Sequence, residues 1–515
     1  MKKYIAFTVF ASGMTSLAAE FGASRLLQMR FGNINIVWAV IIGLILVYFS
    51  IGYSIGGRRA DRDPRPEALF TVLAWGGLTL GFVPVVAQPV LLAAASAFDM
   101  LNLGVLALAF GVTLILFSLP VILLAMASPF AIRISLDDAQ RAGNVAGNLY
   151  AVSTIGSVLG AFLPTLVLFP LIGTSRTILL FGVLILVVSI IGLFMSRANR
   201  KGIFFAAGAA ALILLSLFGD FHVKNSEGQV YETESAYNYI EVIRSNGATL
   251  LRLNDGQGVH SIYTPDIRFY NGPWELFLAG PYFYADANPA DVKRIGIVGL
   301  AAGTAARQAT AIHGPIPIDG WEIDPAIVQV GREYFGMTMP NLNVYIEDGR
   351  WGLEHSPHQY DIIAVDAYRP PYIPPHMTTR EFFQAAASHL TPRGALVINV
   401  GRAPNDRVLI NGLATTLASV FPSIHVMDIP GSLNSMIYAT MQETSRANFE
   451  ANLRRFTGDP DVHPLLLQTM TSALIHMQPG YETSVVFTDD LAPIEWLTNN
   501  LVISFFLHGD MEGLK

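Results

Sequence analysis

The 515-residue sequence contains no cysteine, which excludes disulfides, thiolate metal sites and a cysteine nucleophile, and leaves the redox compartment unread. Charge is also scarce. Only 14% of residues are charged while 52% are hydrophobic, a balance that argues against a single water-soluble globule. There is no internal repeat and no low-complexity tract, and no metal is expected. What charge there is divides unevenly. Residues 1–219 hold fourteen Lys/Arg against seven Asp/Glu, a net of +7, so the other 296 hold eighteen against thirty-two, a net of −14. That acidic half argues against a nucleic-acid partner, because such affinity comes mostly from neutralising phosphates with Lys and Arg. Cationic small molecules are favoured instead.

Crossing ~30 Å of hydrocarbon takes roughly 20 apolar residues in a helix. About seven runs qualify, near Tyr4–Met29, Ile34–Gly56, Ala68–Val90, Leu103–Ala127, Val145–Leu171, Ile178–Met195 and Ile203–Phe218. Residues 1–219 therefore read as a multi-pass domain in the lipid bilayer, with the N-terminus a retained first helix. Pro89–Phe98 is too short for another crossing, and it bears on the parity of the count. Gly52 with Gly56 and Gly156 with Gly160 are spaced for close helix packing in lipid. Glu20 and Arg25 lie inside the first span, about 140° apart around the helix, so each is expected to face a polar partner on another helix. The bland alternatives are that Arg25 snorkels to the interface and Glu20 caps a neighbouring helix. Lys2, Lys3, Arg58, Arg59, Arg62, Arg65, Arg133, Arg141, Arg197, Arg200 and Lys201 fall on one side of the membrane. The positive-inside rule makes that side cytoplasmic. Seven crossings then carry the soluble part outside.

Residues 220–228 read as a polar linker and 229–291 as a small β subdomain, in which Asn246-Gly247 favours a tight hairpin turn between Tyr239–Arg244 and Thr249–Leu253. From 292 to 515 apolar strands alternate with helical stretches. That pattern predicts an open, mainly parallel α/β sheet covered on both faces, with SMIYATM as an antiparallel final strand. Ligands bind beyond the carboxyl ends of such strands. The first strand ends in Gly299-Leu300-Ala301-Ala302-Gly303, a small-residue turn into a helix. The second ends at Glu322, nineteen residues past Gly303, where a carboxylate can accept ribose hydroxyls. The third ends near Asp348, placed to accept from an adenine amino group, and the fourth at Asp366. One acidic strand end is often a helix cap; three in succession point to a nucleoside site.

GLAAGTAAR, WEIDP, EDGR, YDIIAVDAY and TTREFF, with ESAYNYIEV upstream, together resemble the polyamine aminopropyltransferases, the spermidine synthase family. The resemblance spans roughly Val230 to Pro493. With TDDLAPIEWL near the C-terminus, the whole chain is similar to a membrane-fused branch carrying a transporter-like helical domain. The resemblance implies a Rossmann-like, methyltransferase-type domain over 292–515. It implies binding of decarboxylated S-adenosylmethionine, or S-adenosylmethionine, and transfer of an aminopropyl group to a small-molecule amine. Gly299, Gly303, Glu322 and Asp348 would hold the nucleoside, and Asp366 would be the catalytic carboxylate. Departures fall on the acceptor side. Ala301 and Ala302 stand where glycines are usual, Arg369 where a second aspartate is usual, and Val259 where a glutamine is expected, with Gln257 out of register. Tyr237, His260, Tyr270 and Tyr368 are the further candidates for an altered acceptor pocket. Alternatives remain: an S-adenosylmethionine-dependent methyltransferase using the same nucleoside site, or a sensor or structural subunit of an oligomer or membrane complex.

Overall fold

The computed structural model describes residues 1–31, 35–101, 105–136, 138–219, 226–254, 258–368, 373–402 and 406–498. Two compact units result, one of Met1–Ser226 with Thr233–Tyr239, the other of Glu227–Glu232 with Ile240–Lys515.

The first unit is helical: α1 (Lys2–Phe31), α2 (Asn35–Arg62), α3 (Pro66–Leu101), α4 (Val105–Ala125), α5 (Ala127–Ser135), α6 (Ala142–Leu163), α7 (Phe169–Met195) and α8 (Asn199–Phe218). Apolar side chains fill its inside and also its outside, where Leu46, Ile115, Leu166, Leu171, Ile203 and Leu217 are exposed. A bundle apolar all round suits lipid and not water. Six helices among the described residues are long and apolar enough to cross a membrane. The sequence reading of about seven differs at one place, Ala142–Met195, which is continuous by length at 54 residues, about 80 Å at 1.5 Å per residue. This stretch folds back on itself. Gly156 and Gly160 of α6 press on the Phe10 and Met14 backbone of α1, so those two helices run parallel. Gly22 of α1 meets Ile178 of α7, while the Tyr4 hydroxyl reaches the Val188 carbonyl, so α7 runs antiparallel to α1. The reversal lies at Gly173, whose φ of 78° and ψ of 168° break the helix. Only glycine adopts that conformation without strain.

The close-packing reading of the glycines holds, since a Cβ on Gly52 would sit 2.5 Å from the Ile122 carbonyl oxygen. The expectation that Arg25 meets a partner on another helix is corrected. Its guanidinium donates to the carbonyls of Ser235 and Ala236, in the extended segment Thr233–Tyr239. Helix carbonyls are already used internally, whereas those of an irregular segment need donors. The neighbouring Glu234 accepts from the Thr174 N–H at 3.1 Å and hydroxyl at 2.6 Å, capping the helix that restarts after Gly173. Glu20 is half-buried and makes no hydrogen bond or ion pair among the described residues.

The second unit opens with a four-stranded sheet in the order β1 (Gln229–Glu234), β2 (Tyr239–Ser245), β3 (Ala248–Leu253), β4 (Val259–Tyr263). Asn246 and Gly247 both have positive φ, 49° and 76°, as the expected hairpin turn requires. The short helix α9 (Pro273–Leu276) follows. Then come β5 (Ile295–Val298), α10 (Thr304–His313), β6 (Ile318–Trp321), α11 (Pro325–Tyr334), β7 (Leu342–Tyr345), α12 (Gly349–Glu354) and β8 (Tyr360–Val365). The rest is α13 (Arg380–Ser388), β9 (Leu390–Gly401), α14 (Val408–Ala418), β10 (Ser423–Asp428), β11 (Asn434–Thr440), α15 (Arg446–Phe456) and α16 (Pro464–Ile475). The sheet order is β10-β11-β9-β8-β5-β6-β7. β11 is antiparallel to both neighbours; β5 to β9 pair in parallel. Parallel strands with apolar helices on both faces demand two buried cores, and two are present. The order reverses between β5 and β8, the switch point where such sheets open a crevice.

Candidate functional site

The register explains why the candidate residues converge. Val298 pairs with Trp321 on one side and Val365 on the other. Gly299, Glu322 and Asp366, each the next residue, therefore stand side by side past the ends of three adjacent strands. Gly299 has φ +89°, and a Cβ there would lie 2.5 Å from the Asp366 carbonyl oxygen. Any side chain would push the switch point apart. Ala301 also sits in the left-handed region, at φ 48°. Gly303, at φ +84°, starts α10 against Met337. The β4 strand pins this turn: the Ser261 hydroxyl accepts from Ala302 N at 3.0 Å, and the Thr304 hydroxyl bonds both Ile262 N and Ile262 O at 2.9 Å.

Glu322 is buried, its two oxygens accepting from Ala301 N at 2.9 Å and Asp324 N at 3.1 Å. Burial outweighs those amides and pushes its carboxyl up to about 7. Asp366 behaves alike. It keeps some contact with solvent, but protein surrounds its carboxyl and burial pushes it up to about 7, while the Asn399 amide donates to Oδ1 at 2.9 Å. Two carboxyls poised near neutrality in one crevice can accept hydrogen bonds or take up a proton.

Asp348 differs. Its Oδ1 accepts from the Arg350 and Trp351 amides, both at 3.0 Å, so it caps α12. Its Oδ2 meets His376 Nε2 at 3.1 Å. The His376 bond holds its carboxyl below the usual range. Asp348 borders a cleft of about 650 Å³ that also takes in Trp351, His376, Thr379 and Asp489.

The acceptor candidates are scattered. His260, on β4, is enclosed, and burial lowers its imidazole to about 4, so it is neutral at physiological pH. Tyr270 bonds the Thr264 hydroxyl at 2.7 Å and stands edge-on to Trp274. The Tyr368 hydroxyl is committed to β9, accepting from Gly401 N at 2.6 Å and donating to Asn399 O at 3.2 Å. Tyr237 belongs to the segment grouped with the helical unit and is exposed. Arg369 and Gln257 lie outside the described residues. Among the described residues no group of three or more His, Asp and Glu is arranged for a metal ion.

Sequence reasoning missed Asn399, which bonds Asp366, His376, which bonds Asp348, and Asp489, which lines the same cleft and bonds Arg350 and Thr379. Asn399 carried a signal, as the one strongly polar residue in the apolar strand ALVINV. His376 and Asp489 carried none, because chain positions 28 and 110 residues apart from their partners meet only in the fold.

Residues 286–452 match the family model of the spermine/spermidine synthase domain. A probable polyamine aminopropyl transferase of Bifidobacterium longum (strain NCC 2705) is 32% identical over 281 residues, covering 52% of this chain and 61% of that protein. The polyamine aminopropyltransferase of Vibrio vulnificus (strain CMCP6) is 28% identical over 252 residues, 46% of this chain and 80% of that protein. Among solved structures, a probable spermidine synthase from Corynebacterium glutamicum ATCC 13032 aligns with 18% identity and a TM-score of 0.38, covering 51% of this chain and 98% of that chain.

Proposed function

We propose that the α/β unit transfers an aminopropyl group from decarboxylated S-adenosylmethionine to an amine. The observation that carries this is the trio Gly299, Glu322 and Asp366 on three adjacent strand ends, in a domain that matches the spermine/spermidine synthase model and is similar to proteins named aminopropyltransferases. Glu322 would accept the ribose hydroxyls, the turn from Gly299 to Gly303 would let the nucleoside approach the backbone, and Asp348 would meet the base. Asp366 would take the proton of the incoming ammonium, freeing the lone pair. The amine nitrogen then bonds the methylene carbon next to sulfur as the C–S bond breaks. The electron pair goes to sulfur, leaving a neutral thioether nucleoside. Two acidic groups beside two cationic reactants favour their approach.

The test is product analysis: full-length protein in detergent, supplied with the decarboxylated donor and a panel of amines, is expected to yield methylthioadenosine and an amine heavier by one aminopropyl group. Formation of S-adenosylhomocysteine from S-adenosylmethionine instead would make the protein a methyltransferase. Neither product would leave a sensor or structural subunit.

For orientation, we propose an N-terminus in the cytoplasm and the α/β unit on the opposite side. Arg133–Asp61 at 3.2 Å and Lys201–Glu67 at 2.7 Å gather the basic helix ends at one end of the helical unit, which supports counting them together under the positive-inside rule. Cleavage of the α/β unit by external protease in spheroplasts is expected; cleavage only in inverted vesicles overturns the orientation.

A further inference from the structure

Within the helical unit, α7 and α8 enclose a groove of about 460 Å³. Leu179, Leu180 and Val183 of α7 and Ile213 of α8 make its apolar part, while Arg176 and Ser216 are its polar members. We propose that this groove binds a phospholipid of the surrounding bilayer, with an acyl chain along the apolar part and the phosphate held by Arg176 and Ser216.

The groove is polarised along the two helices, both of which belong to stretches long and apolar enough to cross a membrane. α8 begins at the basic end of the unit, where Lys201 meets Glu67 at 2.7 Å, and Ser216 lies in its last turn before Phe218. Arg176 lies at that same far end, in the first turn of the helix that restarts after Gly173. Val183 is two turns further along α7, about 10 Å deeper at 1.5 Å per residue. Polar groups at the membrane surface and apolar ones toward its middle repeat the order of a phospholipid's own parts.

Both polar groups are available to a ligand. Arg176 is exposed and makes no hydrogen bond or ion pair among the described residues. Thr177 and Ser189 of α7 donate to the carbonyl four residues back, each at 2.7 Å, the usual fate of a helix hydroxyl; Ser216 makes no such bond. A guanidinium forks onto two phosphate oxygens, and a hydroxyl can donate to a third. The occupant follows from charge: no described acidic side chain answers Arg176, and phosphate is the anion that the headgroup layer supplies. An apolar lining with a few converging polar groups, in a volume between roughly 300 and 1,000 Å³, is the usual form of a small-ligand site.

The test is native mass spectrometry of the full-length protein in detergent, titrated with phosphatidylglycerol, with diacylglycerol of the same chains, and with glycerol phosphate. Phosphatidylglycerol is expected to bind about tenfold more tightly than diacylglycerol, the size of one charge-assisted hydrogen bond, and glycerol phosphate is expected not to displace it. Arg176→Gln should abolish that preference, whereas Arg200→Gln, at the other end of α8, should keep it. Ile213→Trp, which fills the apolar part, should cost both lipids their tight binding. A preference that survives Arg176→Gln, or falls equally in Arg200→Gln, would remove Arg176 as the phosphate's partner and overturn the inference. Unchanged binding in Ile213→Trp would put the lipid outside the groove, and displacement by glycerol phosphate would make this a site for free phosphate; either result overturns it as well.

Discussion

Glu322 and Asp366, each one residue past its strand, and Asp348, at the start of α12, are carboxylates at comparable strand ends, yet the fold treats them oppositely. The first two lose water without gaining a cation, and burial lifts both to about 7. Asp348 stays partly exposed, caps a helix and meets His376, and its carboxyl is lowered. Only desolvated carboxylates make poised proton acceptors at neutral pH. The contrast separates two carboxyls that can take up a proton near neutrality from one held at fixed charge.

The sharpest way to break this comparison is Asp366→Asn, which removes the proton acceptor while Asn399 can still bond its side chain. Turnover is expected to fall about 10²–10⁴-fold, the usual worth of a positioned base, with nucleoside affinity within about twofold. Retained turnover in single-turnover mass spectrometry would remove Asp366 from the chemistry. Next in size, Glu322→Gln should weaken nucleoside binding by about 10–100-fold, the range of hydrogen bonds to a charged acceptor. Unchanged affinity in calorimetry would end its role at the ribose.

The electrostatic half of the comparison predicts a pH dependence. A carboxyl raised in the folded state holds its proton longer than in the unfolded chain. Its contribution to stability is therefore full below about pH 4 and is lost as pH rises through about 7. Glu322 and Asp366 should make the α/β unit's thermal midpoint fall over that window, against the trend of the lowered Asp348. Glu322→Gln should flatten the slope in melting curves from pH 4 to 8; an unchanged slope would show that Glu322 is not desolvated as described.

Asp348→Ala should cost about 1 kcal/mol of stability through the lost helix cap, while Asp348→Asn, also a good cap, should cost little. Equal losses in urea unfolding would mean that the pairing with His376, and not the cap, holds α12. The smallest effect is expected at Ala301, whose left-handed φ of 48° burdens an alanine by about 1 kcal/mol relative to glycine. Ala301→Gly should raise stability by up to that amount in urea unfolding. A drop in stability would show that the Ala301 methyl contributes more through packing than its backbone conformation costs.

Much of the architecture was legible in the sequence, because apolar periodicity and length are local properties. The long apolar helices, the Asn246-Gly247 hairpin and the seven strands from Ile295 to Thr440 follow from residue patterns that each segment carries by itself. Strand-end position likewise made Gly299, Glu322 and Asp366 readable, since a parallel sheet brings consecutive strand ends to one edge. Four things depended on tertiary structure. The sequence already divides Val145–Leu171 from Ile178–Met195, but that the turn falls on Gly173 shows only in the backbone, where α6 and α7 run oppositely along α1. Arg25 finds its carbonyl partners in a segment some 210 residues away. The shifts of Glu322 and Asp366 depend on how much protein surrounds each carboxyl, which no spacing encodes. The setting of Asp348 by His376, Arg350 and Asp489 is a network of groups distant in sequence. Each is a matter of which groups lose water together and which meet across the chain, and solvation and long-range contact are set by packing in three dimensions.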